Sequence, residues 1–351
     1  MPLYLSIIIA VAIALVVSFA TTPAVKWLAH RIGAIDIPKD SRRVHKSPIP
    51  RLGGLAIFIG FILSVLLMAE IDVQVRGVLI GAVVIVILGV IDDVFTLKAY
   101  IKFLVQIAAA LIAVWHDVVI EIFSNPFAFG AVGSQFVFLG YLAIPITVIW
   151  IVGITNSVNL IDGLDGLAVG VSTISAVVML IIALMVSYPN VAIIMAALAG
   201  ACIGFLPYNF NPAKIFMGDT GALLLGYLLA TVSIIGLFKF YAVVSIAAPL
   251  LVLALPLIDT SFAFFRRLFK GQNPMAPDRG HFHHRLIDMG LSQKQAVAVL
   301  YAASGLLGLA AVVITTTEHM RALVLLIAVI IAIIVALVVF FFVFKGPWNN
   351  K

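Results

Sequence analysis

Long, unbroken apolar runs limit what this chain can fold into. They can be drawn as eleven stretches, at about residues 3–25, 53–69, 75–91, 99–115, 140–155, 167–187, 191–206, 220–238, 241–262, 295–315 and 322–344. Most are long enough to cross a bilayer. They are uniformly apolar and do not alternate, so they read as helices and not as barrel strands. Composition agrees: 64% of the 351 residues are hydrophobic and 10% are charged, against roughly 25% charged in soluble domains. The expectation is an all-α, polytopic transmembrane bundle, one integral membrane domain over residues 1–351. The first run has no basic residue ahead of it and reads as a retained anchor, not a cleaved leader. The single cysteine, Cys202, lies inside a run and reads as a small packing residue.

Charge gives the bundle a direction. With the N-terminus outside and the C-terminus inside, only Arg76, Lys239 and Arg321 of the 21 lysines and arginines fall outside. That bias orients the chain by the positive-inside rule. The net charge of +6 is accounted for by the lipid surface and calls for no nucleic acid.

The few acids then become informative. Asp92 and Asp93 close the third run, Asp162 and Asp165 lie in NSVNLIDGLDG, and Asp219 lies in FMGDTGALLLG. All five fall on the cytoplasmic face. Carboxylates beside hydrocarbon are costly and commonly functional. Together with Gly and Asn they suit a magnesium–phosphate site. Cytoplasmic loops at about 26–52, 92–98, 156–166, 207–219 and 263–294 would form the active face.

Each motif also has a plainer reading. Asp92 and Asp93 could be a polar helix end. Asn156, Asn159 and Asp162 recur every three residues, so a helix would set them on one side. Asp-Gly turns explain the glycines of that motif but not its asparagines. Asp219 could simply cap its helix, or the same helix end could face phosphate. Asn209 and Lys214 lie at the membrane surface just upstream, and Phe216 offers a flat face to a nucleobase. His281, His283 and His284, with Arg279 and Arg285, suit a diphosphate; zinc is the alternative. Arg42, Arg43, His45, Lys46 and Arg51 cluster before Gly53 and could instead bind the inner leaflet. Lys102 lies one turn into the fourth run, where it could snorkel or meet an anionic headgroup.

In this order and spacing, VIDD ending at Asp93, NSVNLIDGLDGLA, FMGDTGALLLG and HFHHRL resemble the polyprenyl-phosphate N-acetylhexosamine-1-phosphate transferases, the superfamily of WecA, TagO and MraY. The resemblance runs from about residue 36 to 294. Phe282 interrupts the histidines, and this form, with PRLGG, resembles the WecA/TagO branch more than the MraY branch. The resemblance implies a bacterial inner-membrane enzyme that moves a sugar-1-phosphate, expected to be N-acetylglucosamine-1-phosphate, from a UDP-sugar to undecaprenyl phosphate. UMP is released, and the lipid-linked product starts an envelope glycan such as teichoic acid or lipopolysaccharide. Mg²⁺ is the implied cofactor, with Mn²⁺ as a substitute, and a homodimer is compatible.

By the same resemblance, Asp219 would bind the metal, with Asp92 and Asp93 beside it. Asp92 would deprotonate or position the lipid phosphate, and Lys102 would meet that phosphate. Asn159, Asp162 and Asp165 would lie on the nucleotide side, and Asn209 and Phe216 would hold the uridine; Asn156, on the same helix side, is a further substrate-binding candidate from its spacing. The histidine loop with Arg279 would meet the diphosphate and sugar. Arg42, His45 and Arg51 belong to the anion-binding set. The competing class, a secondary transporter, would place its acids mid-membrane on broken helices; the eleven runs as drawn show no prominent mid-span acid. A membrane scaffold would not need Asn, Asp and His to converge.

Overall fold

The computed structural model describes residues 1–37, 47–124, 136–236, 244–269, 281–315 and the single residue 331. Within them the chain is a helical bundle. Helix α1 spans Leu3–Ile32, α2 Gly54–Met68, α3 Val73–Phe95, α4 Ala99–Trp115, α5 Ala143–Ile161 and α6 Leu167–Met185. Then come α7 Pro189–Asn209, α8 Gly218–Gly236, α9 Val244–Val252, α10 Ala254–Phe269, α11 Phe282–Asp288 and α12 Gln293–Thr315. Seven described helices, counting α5 with its leading 3₁₀ turn at Gly140–Leu142, are long and apolar enough to cross a membrane; α2 and α4 are shorter but also apolar. The chain is a multi-pass, all-α membrane protein. The eleventh expected span, 322–344, lies outside the described residues except for residue 331, and Arg42, His45 and Arg279 lie outside them too.

Helix α8 is the axis of the bundle. Every residue from Thr220 to Gly236 is buried. α3 and α5 flank it, while α1 lies along α2 and α7. α6 packs between α7 and α12.

The expected ninth span, 241–262, is not one helix. It breaks at Leu253 into α9 and α10. Pro256 has no N–H to offer the Val252 carbonyl one turn back. That carbonyl accepts instead from Ser175 Oγ of α6, at 3.0 Å. α10 then runs out of the apolar region to Arg266 and Arg267, with Asp259 on its buried side. Asp259, near the end of the drawn run, is a buried acid that the sequence reading did not single out.

The two ends of the bundle differ in how the chain is stitched. At one end a two-stranded ribbon, β1 Ile35–Asp36 with β2 Ile49–Pro50, runs antiparallel. It continues into the segment before α8: Phe216 N–H donates to Pro50 O at 2.8 Å, and the N–H groups of Gly53 and Gly54 donate to Phe216 O and Met217 O at 2.9 and 2.8 Å. At the other end, β3 Ile122–Ser124 pairs with β4 Phe136–Phe138. There Gln74 Nε2 donates to Asp117 O, and Asn190 exchanges hydrogen bonds with the backbone of Glu70. No pair of strands was anticipated there.

Candidate active site

The first wall of the site forms where α3, α4 and α8 end at the same level. α3 continues to Phe95, so Asp92 and Asp93 lie in its last turn and not after it. Being adjacent on a helix, they point about 100° apart and do different things. Asp93 turns inward, with only 2% of its side chain exposed. It accepts the backbone N–H groups of Asp219 and Thr220, each at 3.0 Å, and the Thr220 hydroxyl at 2.6 Å. It is thus the N-cap of α8, supplied from another helix. Gly218 makes this approach possible: its φ is +68°, and a Cβ there would lie 2.4 Å from Asp93 Oδ2. Asp219, which could have capped its own helix, is left to face outward.

Asp92 points the other way. Its Oδ1 accepts Leu97 N–H at 2.6 Å, and its Oδ2 meets Lys102 Nζ at 2.9 Å. The same Nζ lies 2.7 Å from Asp219 Oδ2. Asn159 Nδ2 donates to Asp219 Oδ1 at 3.2 Å. Asp92 and Asp219 therefore converge on one cationic nitrogen. The side chain of Asp219 is 29% exposed and that of Asp92 7%, so the open side of the pair is at Asp219.

Arg51 is tied to this wall. Its Nε donates to the Asp93 carbonyl at 3.1 Å, a terminal nitrogen reaches Thr96 Oγ1 at 3.4 Å, and Nε lies 3.9 Å from Asp93 Oδ1. It anchors the loop before α2 to the end of α3. Phe216 takes part in the ribbon next to Arg51 and is half-buried.

The floor is the 156–166 segment. α5 reaches Ile161, so Asn156 and Asn159 are helical and Asp162 caps the end. Asn159 reaches Asp219, but Asn156 pairs with buried Gln106 of α4 and with Val152 O. Asp165 braces the next loop, accepting from Asn211 Nδ2 at 2.9 Å and Ala213 N–H at 3.0 Å. Asn209 is buried, and its amide is used on both sides: Oδ1 accepts Gly166 N–H and Nδ2 donates to Ile215 O, each at 3.1 Å. Asn209 and Asp165 thus hold the loops in register. Asp162 lies among acids. Burial first, then repulsion from Asp219, Asp93 and Asp165, push its carboxyl up to about 8.

The second wall is α10 with α11. His281 Nδ1 lies 2.8 Å from Asp259 Oδ2, and Phe282 N–H donates to Asp259 Oδ1 at 2.7 Å. The rings of His281 and His283 are nearly parallel, 8° apart with centroids 5.7 Å apart. The His284 ring lies 4.3 Å from that of His283. Burial, aided by His284 and opposed by Asp259, pulls His283 down to about 3, so its imidazole is neutral at ordinary pH. His283 can therefore donate or accept a hydrogen bond but supplies no charge. The second wall meets the floor at Gly163, where a Cβ would lie 2.1 Å from His283 Nε2. Arg285 stacks over Phe262 at 4.8 Å, and Phe262 in turn packs on Phe282.

Among the described residues, no three His, Cys, Asp or Glu side chains group as a ready-made metal cage. Magnesium makes a different demand: one or two carboxylates, completed by substrate oxygens and water. Asp92 and Asp219, sharing one cation, fit that demand. Reading the sequence missed Asp259, Gln106, Thr220 and Tyr301, whose hydroxyl donates to Gly166 O. Asp259 carried the same signal as the other acids but fell inside a span drawn too long.

Residues 75–237 match the family described as Glycosyl transferase family 4. A protein of Bacillus subtilis (strain 168), a probable undecaprenyl-phosphate N-acetylglucosaminyl 1-phosphate transferase, is 41% identical over 88% of this chain and 85% of its own length. A decaprenyl-phosphate N-acetylglucosaminephosphotransferase of Mycobacterium tuberculosis (strain ATCC 25618 / H37Rv) is 37% identical, over 85% of this chain and 80% of its own. An undecaprenyl-phosphate alpha-N-acetylglucosaminyl 1-phosphate transferase of Thermotoga maritima is 34% identical, over 77% of this chain and 78% of its own. Ordered motifs, acids gathered at one end of the bundle and similarity along most of the chain agree: the protein belongs to the polyprenyl-phosphate N-acetylhexosamine-1-phosphate transferase superfamily, in its WecA-like branch.

Proposed function

We propose that this protein transfers N-acetylglucosamine-1-phosphate from UDP-N-acetylglucosamine to undecaprenyl phosphate, releasing UMP, at the cytoplasmic face of the bacterial inner membrane. The observation that carries this reading is the convergence of Asp92 and Asp219 on Lys102 Nζ, at 2.9 and 2.7 Å, at the mouth of the bundle. Both substrates are anions, so their mutual repulsion must be cancelled before they can react. Mg²⁺ held by Asp92 and Asp219 would supply much of that cancellation. Arg51, Lys98, Lys102, Arg266, Arg267 and Arg285 lie on the acid-bearing side, which supports the cytoplasmic assignment.

The residues divide the work. Lys102, held between Asp92 and Asp219, meets the lipid phosphate. Asp92 Oδ2 accepts any proton that phosphate still carries. The phosphate oxygen attacks the phosphorus that bears the sugar; a new P–O bond forms there, and the P–O bond to UMP breaks. Asn159 keeps Asp219 oriented, and the histidine loop takes up the negative charge shifted to the diphosphate. The competing route, through a phosphorylated Asp219, is disfavoured because the metal role would occupy the Asp219 carboxylate.

The test is direct. Purified protein is incubated with UDP-N-acetylglucosamine, undecaprenyl phosphate and Mg²⁺, then with EDTA, and finally with Mn²⁺ added back. UMP and a lipid-linked sugar should appear in equal amounts, stop with EDTA and return with either metal. UMP formed without lipid product, or turnover unaffected by EDTA, would overturn the reading.

A further inference from the structure

We propose that Asp259 is the positioning residue of the histidine loop. Its carboxylate holds the Nδ1–H of His281 and caps the first turn of α11, so that Nε2 is the ring nitrogen presented to the donor diphosphate. This rests on the reading above that the loop faces that diphosphate.

Asp259 is 3% exposed, on a helix whose other buried residues are mostly apolar. Burying a carboxylate there is costly unless it is fully hydrogen-bonded. It is satisfied by two donors from one short stretch 22 and 23 residues further along, one on each oxygen. A carboxylate only accepts, so the imidazole nitrogen facing it bears the hydrogen. A cap alone would need only the Phe282 N–H, and an ion pair alone would need only the ring. Together they fix the imidazole plane relative to the α11 axis. α11 has seven residues, too few to hold its own shape. Its remaining support comes from the same face of α10, through Phe262 against Phe282 and Arg285. A small cavity lined by Ile161, Leu167, Leu255, Asp259, Phe282, His283 and Leu300 gives the dyad mostly apolar surroundings. There a charged hydrogen bond is strong. The arrangement parallels a carboxylate that sets the tautomer of a working histidine.

The test is a double-mutant cycle on the full-length enzyme, reading kcat/KM for UDP-N-acetylglucosamine. Asp259→Asn keeps an oxygen for the Phe282 N–H but loses the negative charge that holds Nδ1–H. It should lower kcat/KM by about tenfold or more. In a His281→Ala background the same change should cost less than about twofold, because its effect passes through His281. Multiplying losses would overturn the positioning role, as would an unchanged Asp259→Asn enzyme. An unimpaired His281→Ala enzyme would instead overturn the assignment of the loop to the donor. Should Asp259→Asn fail to fold, ¹⁵N spectra of histidine-labelled wild type decide: Nδ1 of His281 should carry a proton, and an unprotonated Nδ1 would refute the proposal.

Discussion

On the α3–α8 wall, the buried carboxylate of Asp93 accepts two backbone N–H groups at the start of α8, and so orients the helix that carries Asp219. On the α10–α11 wall, the buried carboxylate of Asp259 accepts the first N–H of α11 and the ring of His281. Each wall thus spends one acid on construction; on the first Asp219 is left partly exposed, while on the second His281 and His283 are buried and His284 is partly exposed. The walls differ in what they present. The first offers carboxylates gathered on an ammonium, suited to cations and through them to phosphate. The second offers imidazoles, one of them neutral. A buried acid near a site is therefore not by itself a reacting acid; its hydrogen-bond partners decide.

Three perturbations probe this contrast. The largest effect should come from Asp219→Asn, which removes charge from the outward-facing carboxylate and leaves the Asp93 cap in place. Turnover, measured as UMP released, should fall about 100-fold or more, about 2.7 kcal/mol of barrier, while the thermal midpoint in detergent stays close to wild type. Retention of more than about a tenth of the rate would break the assignment of Asp219 as a metal ligand.

Asp93→Ala should act on stability first. It strands two backbone N–H groups and the Thr220 hydroxyl in a buried setting, at a cost of about 3 kcal/mol. Asp92→Ala removes partners that are partly exposed and should cost no more than about half of that. A thermal-unfolding series in detergent compares them, and equal destabilisation would erase the distinction between the adjacent aspartates.

The smallest effect concerns Asp162, between the walls. Its carboxyl titrates near 8 in the folded protein and near 3.8 in the unfolded chain. The folded state therefore holds the extra proton between those values. Stability from this group is full below about pH 4 and is lost as pH rises through 8. Asp162→Asn removes the titration. Between pH 5 and 8.5 the wild type should lose about 1 kcal/mol relative to the variant, because partial exposure screens the repulsion. Parallel midpoints across that range would show that burial and the neighbouring acids do not hold the Asp162 carboxyl above its ordinary value.

Much of this arrangement was legible in the chain. The apolar runs located the helices to within a turn for most spans, because a bilayer forces each crossing to satisfy its own backbone. The positive-inside bias set all five motif acids on one side. What stayed hidden was local. The break at Leu253 depends on Pro256 and on Ser175 answering an abandoned carbonyl. The pairing of Asn156 with Gln106 depends on α4 and α5 lying side by side, and nothing in NSVNLIDGLDG shows it.

The linear pattern by itself determined the class: a membrane bundle with acids, asparagines and histidines collected at one end. It could do so because hydropathy and charge act on each segment independently of its neighbours. Only the tertiary structure decided which acids build and which face substrate. Asp92 and Asp93 differ by one position and about 100° of helix rotation, and Asp259 finds His281 across 22 residues. Such roles are fixed by which donors lie within about 3 Å, and that distance exists only once the helices have packed.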